Sequence, residues 1–78
     1  MNNLEKYNQV FMETLDVEVD QLQDLKYQDI DNWDSVGHMS LVAAIEDTFG
    51  IMMDTDDIID FSSYQIGKEI IKKYQVEL

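Results

Sequence analysis

"NWDSVGHMSLVAAIEDTFGI", Asn32 to Ile51, reads as one amphipathic helix with a defined start and stop. The spacing predicts a helix over Ser35 to Phe49, and Gly50 directly after it is a C-terminal stop. At about 100° per residue, Leu41, Val42, Ile45 and Phe49 share one arc, with His38 at its N-terminal margin. Val36, Met39 and Ala43 fall on the opposite side, edged by Ser40, Glu46 and Asp47. A bundle helix needs one apolar face, and this one has two. The second strip admits two readings. Val36 and Met39 tuck beneath a neighbouring loop or short helix, or they form a docking strip whose acids orient a basic partner. Met39 suits the latter, because its flexible thioether adapts to more than one surface.

Working outward, Leu4, Tyr7, Phe11 and Leu15 recur at spacings of three and four, with Val10 widening the stripe, so a first helix runs from about Asn3 to Leu15. Residues 16 to about 33 hold no sustained period. Leu22, Leu25, Tyr27, Ile30 and Trp33 are scattered among acids and glutamines, which predicts a long ordered loop pinned by its apolar residues, with room for a helical turn near Val19 to Leu25. After Gly50, Ile51 to Met53 return toward the core, and Asp54 to Asp57 offer N-caps and first-turn acids for a short helix ending near Asp60 or Phe61. Ser62 and Gln65 have capping-box spacing, Phe61 and Ile66 fit a staple across it, and Ile66, Ile70, Ile71 and Tyr74 form the stripe of a last helix. Lys72 and Lys73 suit the negative end of its dipole. The prediction is one all-α domain over residues 1–78: three main helices and one short one, with a long loop between helices one and two.

Composition narrows the function. A chain of 78 residues buries only roughly 60% of the surface its unfolded form exposes. That leaves one modest core and no deep cleft, which weighs against an autonomous enzyme. Cysteine is absent, so there is neither a disulfide framework nor a thiolate zinc site. No apolar run reaches the length of a membrane span, and the N-terminal residues lack the basic-then-apolar pattern of a signal peptide, so a cytoplasmic protein is expected. Seventeen acids against five lysines give a net charge of −12. Nucleic acid and anionic membranes repel such a chain, and basic protein surfaces attract it. Disorder is the alternative for so acidic a chain, but 45% hydrophobic residues at helical spacing oppose it. Between Tyr27 and Gly67 no lysine stands among Asp29, Asp31, Asp34, Glu46, Asp47, Asp54, Asp56, Asp57 and Asp60. The middle of the chain therefore has one sign of charge.

Ser35, at the first turn of the central helix, is by residue type an N-cap. As a catalytic nucleophile it would need a base in reach and an orienting third group. His38, the one histidine, is three residues along the helix and displaced by about 300° on the wheel. The acidic stretch "DTDDIIDF" lacks the glycine and the distal glutamate of an EF-hand loop.

Asp34-Ser35-Val36 at a helix start, inside "WDSVGHMSLVAAIEDTFGI", resembles the signature of acyl and peptidyl carrier proteins, whose usual core is Asp-Ser-Leu. "EDTFGI", the acidic short helix and "FSSYQIGKEIIKKY" stand where that family has its corresponding segments, so the likeness covers about residues 3 to 75. The resemblance implies a noncatalytic monomer with Ser35, beside Asp34, as the attachment point of 4′-phosphopantetheine. A phosphopantetheinyl transferase would place the group there from coenzyme A with magnesium. Acyl or aminoacyl cargo would then ride as thioesters between enzymes with basic docking surfaces. Val36, Met39, Ala43, Glu46 and Asp47 fall where family members meet partners, and Asp56 or Asp57 is a weaker correspondence. Ser40 stands where many fatty-acid-synthesis carriers have glutamate, and Gly37 near a usual acid or hydroxyl, which resembles a carrier dedicated to a specialised pathway. High acidity leans toward acyl rather than aminoacyl cargo. An unmodified acidic adaptor is the alternative from another class. Whether the bundle shelters its cargo turns on packing around Met52, Met53, Ile58 and Ile59.

Overall fold

A computed structural model describes all of residues 1–78. The chain is an all-α bundle of four helices: α1 (Asn3–Leu15), α2 (Ser35–Phe49), α3 (Thr55–Asp60) and α4 (Tyr64–Lys72). The first starts on a capping box, in which Asn2 accepts from the Glu5 N–H at 2.8 Å and the Glu5 carboxylate accepts from the Asn2 N–H at 3.4 Å. It ends at Asp16 in the left-handed region. Gly50 ends α2 the same way, at φ 64°, a conformation that glycine adopts without strain.

The core is aromatic at its centre. Tyr7 and Phe11 of α1, Trp33 of the loop, Phe61 and Tyr64 are all essentially sealed from solvent. Phe11 meets Trp33 edge-on at 5.6 Å and Tyr64 edge-on at 5.3 Å, a favoured geometry for ring quadrupoles. Leu41, Val42 and Ile45 close the core from α2, while Phe49 is only half-buried. The buried Tyr7 hydroxyl donates to the Tyr64 carbonyl at 2.7 Å, and burial pushes its phenol above the ordinary tyrosine range. Gly67 admits α4 at this point, because a β-carbon there would overlap Phe61 and the Tyr7 hydroxyl.

The long loop is ordered, with Leu22, Leu25 and Trp33 buried. Its helical turn is a single 3₁₀ turn, Val19–Gln21. The Asn32 side chain donates to the Leu15 carbonyl at 3.0 Å, tying the end of the loop to the end of α1. The loop also pairs with the junction before α4. Tyr27 N–H donates to Ser62 at 2.9 Å and Tyr64 N–H to Leu25 at 3.0 Å, forming one antiparallel bridge between Lys26 and Ser63.

That bridge corrects the predicted start of α4. It holds Ser63 extended, so the helix begins one residue later than Ser62-Gln65 spacing suggests, and the cap is Ser63, accepting from Ile66 N–H at 3.0 Å. With Ser63 as the cap, Phe61 and Ile66 no longer stand at the two positions that a staple joins across it, and Ile66 is 45% exposed. Tyr64 and Gly67 take the buried positions beside Ile70 and Ile71, and Tyr74 is half-buried.

The short α3 is held by polar ties. The Asp57 carboxylate accepts from Lys73 Nζ and from the Tyr74 hydroxyl, each at 2.5 Å, and Asp54 N–H donates to the same hydroxyl at 2.9 Å. Lys73 thus closes onto Asp57 and not onto the end of its own helix; Lys72 remains in the last turn, in an exposed pair with Glu69. The donors from Lys73 and Tyr74 hold the Asp57 carboxyl below its ordinary range. Folding therefore favours the ionised form, and this stabilisation is complete above the ordinary carboxylate range and lost as pH falls through the lower native value. The same carboxylate raises Lys73 and Tyr74, so their contributions fade only as pH rises through their raised values. Urea midpoints of the wild type and Asp57→Asn are expected to differ most at neutral pH, to begin to converge near about pH 4, and to meet only as pH falls through the lower native value. A difference that persists unchanged in acid would mean that carboxylate charge does not hold α3.

Candidate functional site

Ser35 opens α2, but it is not the cap. Asp34 is extended, and its Oδ1 accepts from Gly37 N–H at 2.8 Å. Its carbonyl accepts from His38 N–H at 2.7 Å, closing the first turn. The N-cap duty expected of Ser35 on residue type therefore falls to the preceding aspartate. Ser35 itself is exposed, its hydroxyl outside the cap, at the positive end of a helix of 15 residues.

The loop crosses directly over this first turn. A β-carbon at Gly37 would overlap the Asn32 carbonyl, so this position needs glycine for close approach and not for backbone conformation. The next loop residue, Trp33, is completely buried, and its indole N–H donates to His38 Nδ1 at 3.0 Å. An indole only donates, so Nδ1 accepts, and the ring proton lies on Nε2. Nε2 then donates to the Ile58 carbonyl of α3 at 2.8 Å. One imidazole thus joins the loop, α2 and α3 beside Ser35.

Between these elements lies an apolar cleft of about 310 Å³. Ser35 and Met39 form one rim, Ile58 and Ile59 the other, Tyr27 and Ser62 an end, and His38 and Phe61 the floor. The second strip of α2 is open: Val36 is 74% and Met39 55% exposed, and Ala43 and Asp47 are also exposed. Neither Val36 nor Met39 tucks under the loop. Ile59, 71% exposed, extends the apolar surface across the cleft.

The acids separate by role. Asp47 and Asp56 are free at the surface. Glu46 is half-buried and accepts from Met53 N–H at 2.8 Å, so it also fastens the turn after α2. Asp57, counted among the docking acids in sequence, is turned inward onto Lys73 and Tyr74, which corrects that assignment. No three of the acidic and histidine side chains converge as metal ligands. No helix is long and apolar enough to cross a membrane.

Sequence reading placed Ser35, Asp34 and the strip, but it missed the cleft. Tyr27, Ile59 and the Trp33–His38–Ile58 connection come from three separate segments. The one local signal was a tryptophan immediately before Asp34-Ser35 with a histidine three residues after the serine. In comparisons with known proteins, no family model, curated protein or solved structure matches the chain.

The division of labour at the helix start is directly testable. Asp34→Ala should cost about 0.5–2 kcal/mol in urea unfolding, the usual loss for a side-chain cap. Ser35→Ala should stay within about 0.5 kcal/mol of wild type, as for a surface change that removes no such feature. The reverse order would return the cap to Ser35.

Proposed function

We propose that this chain is a carrier protein whose Ser35 hydroxyl receives 4′-phosphopantetheine and which presents acyl groups to partner enzymes. The observation that carries the reading is the free, exposed Ser35 hydroxyl at a helix start capped by Asp34. A phosphodiester there meets the positive end of the α2 dipole. Around it, an apolar cleft and an open strip with Asp47 beside it supply contact surface and charge. When bound, the prosthetic group supplies the thiol on which cargo is held as a thioester. Ser35 tethers it, and Val36, Met39, Ala43, Glu46, Asp47 and Asp56 face the enzymes that modify, load and unload it. The "VGHMSL" run agrees with a specialised pathway more than a housekeeping one. Acyl cargo is preferred to aminoacyl because the cleft at Ser35 is largely apolar.

A serine hydrolase is opposed by the fate of His38. Both ring nitrogens are engaged, by Trp33 and by Ile58, so neither is free to take a proton from Ser35. An unmodified adaptor would use the same strip without the serine.

Intact mass after incubation with coenzyme A, magnesium and a broad-specificity phosphopantetheinyl transferase is the test. Wild type should gain one phosphopantetheine and Ser35→Ala none. A folded wild type that gains nothing would turn the reading to the adaptor. For docking, Asp47→Lys is the clean reversal, because reversing Glu46 also removes the bond to Met53. It should slow modification at low salt, with the difference shrinking as salt screens the surface. Equal rates at low salt would remove Asp47 from the docking surface.

A further inference from the structure

We propose that the cleft beside Ser35 accepts only a short acyl group, and that His38 sets this limit by closing the way from the cleft into the bundle. This rests on the carrier reading and adds to it the class of cargo. The cleft's volume, about 310 Å³, lies at the lower end of the roughly 300–1,000 Å³ of ligand pockets. The His38 ring stacks on Trp33 at 6.3 Å and meets Phe61 edge-on at 6.0 Å, and Phe11 lies behind both.

A chain that outgrows the cleft has two courses. It can run out over the exposed Met39 and Ile59, where it remains in water, or it can enter the core. Entry means parting His38 from the Ile58 carbonyl or from the Trp33 indole. Either leaves a polar group unpaired, and Trp33 is wholly buried. The rings behind are close-packed, and such interiors yield little to an inserted chain. The methionines do not provide another entrance: Met53 is buried in the core and Met52 points into solvent. The other clefts of the molecule lie along α1 and at the C-terminus, remote in sequence from Ser35.

The test is a ladder of cargo. Wild type is loaded from acetyl-, butyryl-, octanoyl- and dodecanoyl-coenzyme A by a promiscuous transferase, each product is checked by intact mass, and its Tm and the hydroxylamine cleavage rate of its thioester are measured. Each methylene fully removed from water should raise Tm by about 3–6 °C in a domain of this size. At roughly 30 Å³ for each methylene-sized unit, a cleft of about 310 Å³ has room for an octanoyl chain, so the rise and the thioester protection are expected to grow through the octanoyl form and stop there, with dodecanoyl cargo no better shielded. His38→Ala should let them grow through dodecanoyl, whereas His38→Gln, which can accept from Trp33 and donate to Ile58, should leave the plateau in place. A merely structural histidine would lower Tm equally for every cargo and leave the plateau unmoved in His38→Ala, which would overturn its role as the limit. Protection that keeps growing through dodecanoyl in the wild type would overturn the short-cargo inference whatever the variants do. Absence of any mass gain would overturn the carrier reading, and this inference with it.

Discussion

The arrangement around Ser35 depends on one imidazole. His38 accepts a hydrogen bond from the indole N–H of a wholly buried tryptophan and donates one from its own ring N–H to a carbonyl of α3. Without the acceptor, the Trp33 N–H would be stranded in the core, at a cost of about 1–3 kcal/mol. The consequence is geometric. Trp33 fixes the end of the loop, Asn32 next to it lies on Gly37, and Asp34 after it caps α2. The position of Ser35 is therefore the end result of a buried aromatic contact one helical turn away. Ile58, held by the same ring, sets the opposite rim of the cleft.

A second constraint is charge. At −12 the surface repels itself, which works against compactness. The few lysines are used unequally: Lys72 makes an exposed pair with Glu69, whereas Lys73 closes on the buried Asp57 with Tyr74 beside it. That tie anchors the near end of α3, and His38 anchors its middle. A six-residue helix with polar anchors and one half-buried isoleucine belongs to the less stable parts of a fold. It also carries the outer rim of the cleft. The α2 side of the cleft is backed by the packed side chains of Leu41, Val42 and Ile45, whereas the α3 side is held through its polar ties.

The sequence made visible whatever is decided within one segment. The ends of α1 and α2 follow from apolar spacing, a cap and a glycine, all local, and the observed boundaries match them. Adjacent candidates were harder. Ser62 and Ser63 both suit an N-cap, and the choice is made by pairing with Lys26, far away in sequence. Asp34 and Ser35 also both suit one, and the loop that presses Asn32 onto Gly37 accompanies the choice of Asp34. Asp57 looked like its neighbours because nothing in "DTDDIID" says which acid will meet a lysine from the end of α4. The exposure of Val36 and Met39 could not be decided from the wheel, since it depends on where the loop and α3 lie.

The assignment of the cap to Asp34 bears on the proposed chemistry in a way that the residue pair alone does not. A serine that caps a helix spends its oxygen on a backbone N–H, and esterifying that oxygen would disturb the cap. Here the carboxylate beside it performs that task at 2.8 Å from Gly37 N–H. The serine oxygen is then free to be modified without loss to the helix start, and the start remains rigid whether or not a group is attached. A tether has different needs from a nucleophile: it requires a fixed, accessible oxygen and no base. Ser35 has the first, and the only imidazole within a helical turn is committed on both nitrogens to holding the fold. On the carrier reading, Asp34 fixes where the arm begins, Ser35 bears it, and His38 fixes the surface against which its cargo can rest.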